Sequence, residues 1–332
     1  MPNITYGGRS FQCHEQESVL DCLTAHGVII PSSCHAGLCQ TCLMQSLSGK
    51  VPEAAQTGLQ NTYTEQNYFL ACSCFPEDDM EVALPNSVVA KFVATVVELA
   101  PLNPEIISLK LGVDVKLQYK AGQFINLYKD SSTSRSYSLA SVPGIDEHLH
   151  FHIRKLPYGL VSHWVHSSLK VGDRVEISEA AGDCFYVADQ LRENLLLIAT
   201  GSGLAPLYGI IRDALAQGHS GKIMLYHGSN SAESVYLYDE LKSLSSTRQN
   251  FIYRPCISGP RVPQGYFAGR AHEFALQENA DLSGWRVYLC GHPEMVLCGK
   301  KQAFLSGASM RNIYADPFVT LNKDNIVLSH SN

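Results

Sequence analysis

The chain has 332 residues, 45% hydrophobic and 17% charged, with 25 Lys and Arg against 31 Asp and Glu for a formal charge of −6. That balance predicts a globular chain of two or three domains, and with no basic block to neutralise phosphates it argues against a nucleic-acid partner. Met1-Pro2-Asn3-Ile4-Thr5-Tyr6 lacks the charged and then apolar run of a secretory leader, and no apolar stretch approaches membrane-spanning length. A cytoplasmic protein without a membrane partner is therefore expected, its 11 cysteines being thiols and metal ligands rather than disulfides.

Residues 4–6 and 10–13 flank Gly7-Gly8-Arg9, a three-residue connection that predicts a β-hairpin. A helix should follow: Ser18 is its N-cap, Val19, Leu20 and Leu23 recur at helical spacing, and Gly27 ends it. Next comes Cys34-His35-Ala36-Gly37-Leu38-Cys39-Gln40-Thr41-Cys42, with Cys72 further along. Two tetrahedral irons bridged by sulfides need four thiolates, and C-x4-C-x2-C with a distant fourth cysteine is the plant-type 2Fe-2S spacing. Gly37 lets the backbone close in and turn its N–H groups toward the sulfides. The competing reading is a structural zinc site, which usually pairs two short C-x2-4-C knuckles, whereas the fourth cysteine here has only Cys74 close by. Cys74 is also the alternative fourth ligand, although Cys72 gives the more usual interval. Met80-Glu81-Val82-Ala83-Leu84 alternates like an edge strand, and Pro85-Asn86-Ser87 reads as a linker.

From Lys91 onward, short β-rich runs at 92–99, 106–111, 123–128, 134–140 and 149–154, separated by turn residues, predict a small antiparallel barrel. Within it, Arg135-Ser136-Tyr137-Ser138 puts a guanidinium and an aromatic ring on one strand face, where they could address one ligand; the same alternation is common on ordinary sheets. Leu195-Leu196-Leu197-Ile198-Ala199 is apolar throughout, as for a strand buried on both faces of a parallel sheet. It runs into Thr200-Gly201-Ser202-Gly203-Leu204-Ala205-Pro206, a turn suited to phosphate, with Pro206 fitting the first turn of a helix. Strand candidates at 222–227, 250–253 and 286–290 alternate with helical patterns in a doubly wound layout.

The cysteine loop, Arg135-Ser136-Tyr137-Ser138, the 200–206 turn and Cys290-Gly291-His292-Pro293-Glu294-Met295, in that order, resemble ferredoxin-NADP reductase-type flavoproteins with an N-terminal plant-type 2Fe-2S ferredoxin domain, the reductase components of multicomponent oxygenases. The resemblance covers nearly the whole chain. It implies an α+β ferredoxin-like (β-grasp) domain at 1–87, an antiparallel β-barrel FAD domain at 91–190 and an α/β doubly wound parallel-sheet NAD(P) domain at 191–332. Cys34, Cys39, Cys42 and Cys72 would hold the cluster. Arg135, Tyr137 and Ser138 would bind FAD, with Ser138 near flavin N5, and Gly159, Val161 and Ser162 would form a second phosphate turn. Thr200, Gly201, Ser202, Gly203, Pro206 and Gly291 would cradle the nicotinamide dinucleotide, with Cys290 by its ring and Phe318 shielding the flavin. Asp316 would tune the flavin edge or be an exposed carboxylate in a turn. The activity implied is electron transfer from NADH, or NADPH, through FAD and the cluster to an oxygenase, a ferredoxin or another one-electron protein acceptor. The alternatives are a reductase serving a deoxysugar-forming dehydratase and a carrier module without catalysis. NADH is the expected donor, because His227-Gly228-Ser229-Asn230-Ser231 offers no cation for a 2′-phosphate. Two motif positions depart from the family: Ala180-Ala181-Gly182 stands where Gly-Pro is common, and His292 where Pro is. Cys13, Cys22, Cys184, Cys256 and Cys298 are expected to be small buried hydrophobes.

Overall fold

The structure, a computed structural model, describes residues 1–32, 40, 42–85, 91–130 and 133–318. The chain divides into two compact units, Met1–Val89 and Ala90–Asn332.

In the first unit, β1 (Asn3–Tyr6) and β2 (Arg9–Gln12) pair antiparallel, Tyr6 opposite Arg9. The turn is therefore Gly7-Gly8 alone, with φ of 57° and 76°, and not the three residues expected, because two successive glycines supply both left-handed positions that a two-residue hairpin requires. Helix α1 (Val19–Ala25) starts at Ser18, whose Oγ accepts from Asp21 N at 3.1 Å, and buries Val19, Leu20, Cys22 and Leu23. With β3 (Leu43–Ser48), α2 (Asn61–Glu65), β4 (Tyr68–Leu70) and β5 (Met80–Ala83), the sheet runs β2-β1-β5-β3-β4. The strand expected at the edge, β5, is central, parallel to β1 and antiparallel to β3. Its alternation reports one covered face, Met80 and Val82 inward and Glu81 outward, which a central strand of a one-sided sheet shares with an edge strand.

The second unit opens with β6 (Lys91–Pro101), β7 (Ile106–Val113), β8 (Phe124–Tyr128), β9 (Ser134–Ser138), β10 (Leu149–Arg154), α3 (Leu160–Ser167) and β11 (Arg174–Ser178). The antiparallel order is β10-β7-β6-β11-β8-β9, and a bridge between Leu139 and Phe151 closes the end of β9 onto β10. The sequence reading passed over β11, yet it joins the two halves of the barrel by pairing with both β6 and β8.

The remainder comprises β12 (Asn194–Thr200), α4 (Leu204–Ala216), β13 (Ile223–Ser229), α5 (Tyr238–Thr247), β14 (Phe251–Ile257), β15 (Phe267–Ala268), α6 (Ala271–Glu278), β16 (Trp285–Gly291), α7 (Pro293–Leu305) and β17 (Ile313–Pro317). All six strands are parallel, in the order β15-β14-β13-β12-β16-β17. Strand order therefore reverses between β12 and β16, and a crevice outside their carboxyl ends is where such sheets bind ligands. Arg286 on β16, 2% exposed, fixes the chain entering this sheet through Asp189 Oδ1 at 2.5 Å and the Val187 carbonyl at 2.8 Å.

Candidate functional site

In the first unit the Sγ atoms of Cys42 and Cys72 lie 3.3 Å apart, brought together where Ala71 N donates to the Cys42 carbonyl at 3.0 Å. Cys34, Cys39 and Gly37 lie outside the described residues. Cys74 points elsewhere: it is fully buried in the core with Cys13 and Cys22, and burial pushes its thiol up to about 12. Two thiols facing each other at the start of β3 and beside β4 suit adjacent ligand positions on one metal group.

The second unit carries an open cleft of about 1840 Å³, lined by the ends of the barrel strands and by the crevice between β12 and β16. Pockets for single small molecules run to roughly 1,000 Å³, so the space accommodates two extended dinucleotides. Arg135, Tyr137 and Ser138 line it from β9, and Gly159, Val161 and Ser162 from the entry to α3. Thr200, Gly201, Ser202, Gly291, Asp316 and Phe318 line it from the parallel sheet.

Each group is held by local structure. Arg135 is exposed, with Nη1 donating to its neighbour's carbonyl, Ser134 O, at 2.7 Å. Burial raises the Tyr137 hydroxyl, so the ring stays neutral and presents a flat apolar surface. Ser138 Oγ donates to Asp316 Oδ2 at 3.1 Å across from β9 to β17. Asp316 is thus a strand residue with its carboxyl pushed up by burial, not an exposed carboxylate in a turn. Ser162 spends its hydroxyl on the turn, accepting from Leu156 N at 3.2 Å and donating to Gly159 O at 3.3 Å. That geometry leaves the first N–H groups of α3 facing the cleft as anion donors.

At the strand reversal, backbones approach so closely that only glycine fits. A Cβ on Gly203 would collide with the Cys290 carbonyl, and one on Gly291, whose φ is 124°, with the Thr200 carbonyl. His292, which stands where the family often has Pro, uses the N–H that a Pro lacks: it donates to Thr200 Oγ1 at 2.9 Å and locks β16 to β12. The Ala180-Ala181-Gly182 segment is likewise tied down, since Phe124 and Ala181 exchange backbone bonds of 2.9 and 2.8 Å and Gln123 donates to Gly182 O at 3.0 Å.

Gly203, Pro206 and Cys290 are buried behind the cleft wall rather than on it. Cys290 is fully buried with its Sγ 3.7 Å from Cys184 Sγ, and burial raises its thiol well above the usual range. Cys298, expected to be buried, is exposed and lines the cleft. Sequence reasoning missed Glu105, His152, Arg154 and Arg270, which also line it. Arg154 pairs with Glu105 at 2.7 Å and lies beside the phosphate turn, its Nη1 3.5 Å from the position of a Cβ on Gly201. The only signal for His152 and Arg154 was alternation along β10, which any barrel strand shows. Arg254 on β14, a cation on the strand next to β13, is already paired with Glu278 at 2.8 Å.

A close-fitting glycine cradle, helix N–H donors, a neutral tyrosine face and a facing pair of thiols fit FAD, a nicotinamide dinucleotide and a 2Fe-2S cluster. Three family models match in succession: "2Fe-2S iron-sulfur cluster binding domain" over residues 3–77, "Oxidoreductase FAD-binding domain" over 94–186 and "Oxidoreductase NAD-binding domain" over 197–301. The chain is 30% identical to the phenol hydroxylase P5 protein of Acinetobacter pittii, across 94% of this chain and 92% of that one. It is 31% identical to the reductase subunit of an aromatic O-demethylase from Amycolatopsis sp., across 95% and 98%. Among solved structures, the Amycolatopsis cytochrome P450 reductase GcoB superposes with a TM-score of 0.69 at 30% identity, covering 96% of this chain and 99% of that one. No helix among the described residues is long and apolar enough to cross a membrane. The chain belongs to the ferredoxin-NADP reductase-type flavoproteins with an N-terminal plant-type 2Fe-2S domain, and is an NAD(P)H-dependent FAD/2Fe-2S oxidoreductase.

Proposed function

We propose that this chain is the reductase component of an oxygenase system, drawing on NADH and delivering single electrons to an oxygenase or to an intervening ferredoxin. The observation that carries this reading is end-to-end similarity to reductase components, with 94% of this chain and 92% of the phenol hydroxylase protein covered, in a chain where both dinucleotide motifs line one cleft. FAD, when bound, accepts a hydride from the nicotinamide and releases electrons one at a time.

The chain's own residues supply position and charge. Arg135 meets the FAD pyrophosphate as a guanidinium fork, the N–H groups at Val161 and Ser162 hold its phosphates from a turn that Gly159 closes by donating to the Leu156 carbonyl at 3.0 Å, and Tyr137 packs against the ring system or its ribityl chain. Ser138, fixed by Asp316, stands at the flavin edge where the proton inventory changes. Phe318, anchored by its N–H to Gly291 O at 2.8 Å, covers that edge from water until the nicotinamide enters. Thr200, Gly201, Ser202 and Gly291 receive the dinucleotide, while Gly203, Pro206 and Cys290 act from behind by letting β12, α4 and β16 pack closely. Cys34, Cys39, Cys42 and Cys72 ligate the cluster. None of the nine described cysteines is in a disulfide, which suits a reducing compartment, so the reading places the protein in the cytoplasm.

The decisive experiment is anaerobic titration of the purified protein with NADH, following the visible bands of flavin and cluster, and then adding candidate oxygenases. Bleaching of both chromophores followed by oxygenase turnover is expected; a colourless protein would end the reading. Donor choice follows from Ser229 and Asn230, which line the cleft without a cation, and from the paired state of Arg254. NADH should have the higher kcat/KM, and preference for NADPH would instead point to Arg270 as the 2′-phosphate partner.

A further inference from the structure

Strand β10 turns two faces to different tasks. Leu149, Phe151 and Ile153 fill the barrel core, and the opposite face carries His150, His152 and Arg154. The guanidinium of Arg154 lies beside Gly201, so this second face is directed toward the phosphate turn of β12. One step deeper on it, His152 lines the cleft while only 4% exposed. Its Nδ1 is 3.1 Å from the hydroxyl of buried Tyr236, and its Nε2, also buried, has no hydrogen-bond partner among the described residues. His227 shares the unpartnered Nε2 but does not line the cleft.

We infer that His152 is a binding residue for the pyridine dinucleotide, donating from Nε2 to a pyrophosphate oxygen held at the Gly201 turn. The assignment rests on reading the cleft as the dinucleotide site. Burial, reinforced by neighbouring His150, holds the His152 imidazole well below its usual pKa, so the ring is neutral and carries one proton. Burial raises the Tyr236 phenol, which keeps its own proton and, as the stronger donor, gives its hydrogen bond to Nδ1. The ring proton then sits on Nε2. A buried donor without a partner carries the desolvation cost of a lost hydrogen bond, and an anionic oxygen arriving in the cleft removes it.

Two substitutions separate binding from support of the fold. The amide oxygen of Asn, an acceptor, is as many bonds from Cβ as Nδ1, and the amide nitrogen of Gln, a donor, as many as Nε2. His152→Asn therefore keeps a partner for Tyr236 and loses the donor to the cleft; His152→Gln keeps the donor. With FAD-loaded protein, calorimetric titration with ADP-ribose, which has the pyrophosphate but no nicotinamide, should show Kd about tenfold weaker in His152→Asn and within about threefold of wild type in His152→Gln. The KM for NADH should follow the same order, with kcat and FAD content retained. A purely structural histidine gives the reverse order, with melting temperature falling most in His152→Gln, and that result would overturn the assignment. So would a raised KM with unchanged ADP-ribose affinity, which moves His152 to the nicotinamide end. Gly201→Val tests the site itself: if it binds ADP-ribose normally, the cleft reading fails and this one with it. If Gly201→Val loses binding while His152→Asn keeps it, only His152 is removed.

Discussion

Asp316 carries a cost that only its position in the cleft explains. Its carboxyl is raised by burial, with the hydrogen bond from Ser138 opposing the shift. The folded protein therefore holds that proton where the unfolded chain has released it, so stability is lost as pH rises from the ordinary carboxylate value through the folded one, and stays lost above it. Asp316→Asn keeps an acceptor for Ser138 and removes the charge. Its melting temperature at pH 7 should exceed wild type by roughly 2 °C, with the gain shrinking toward pH 4; equal melting points at neutral pH would show that the carboxylate is not strained. Natural sequences keep such a group where ionisation serves the reaction, which agrees with its place beside Ser138. Phe318 offers a second residue-scale test. As a cover displaced by the nicotinamide, Phe318→Ala should bind the nucleotide more tightly with no gain in kcat, whereas a ring that only fills the core would leave affinity unchanged and destabilise the fold by ~3 to 5 kcal/mol.

At the scale of elements, what the sequence made legible depended on local chemistry. Ser18 capping α1, the apolar run of β12 and the glycines at the switch point each state their structure in a few residues. Strand β11 was missed although Val175 and Ile177 alternate inward after the turn at Gly172, because a run of five residues does not state where it pairs and its role is set by two distant partners, β6 and β8. The same limit hid His152 and Arg154, whose meaning comes from what β10 faces. Buried histidines on β10 and β13 also make these elements sensitive to acid. Burial lowers His150 and His227 to about 4 and holds His152 well below the usual histidine value. The unfolded chain binds these protons first, near pH 6.5, so stability is full above that value and falls as pH drops toward the folded ones. His227 alone should contribute a loss of roughly 3 kcal/mol over that window. Chemical denaturation of the second unit, followed by flavin fluorescence, should show a midpoint declining from pH 7 to pH 5. His227→Gln should flatten that decline, and a slope unchanged by the substitution would show that His227 is not among the groups that titrate.

At the scale of the whole molecule, the division into Met1–Val89 and Ala90–Asn332 puts Cys42 and Cys72 in one unit and every cleft residue in the other. The two halves of the electron path should then fail separately. Cys72→Ser replaces a thiolate ligand with a hydroxyl of far higher pKa, a poor partner for iron, so the cluster should be lost or become labile and its visible absorption should fall. Nothing in the cleft depends on that side chain: Arg135, Tyr137, Ser138, Thr200 and Gly201 belong to the second unit and are held by their own strands and turns. FAD content and the NADH-dependent reduction of ferricyanide, which can take electrons from the flavin directly, should therefore stay within about twofold of wild type, while transfer to a one-electron protein acceptor collapses. Retained transfer to the protein acceptor would show that electrons leave from the flavin and not through the cluster. Loss of ferricyanide reduction in a folded, FAD-containing variant would show instead that the first unit supports the geometry of the second, and that the chain cannot be treated as two independent modules.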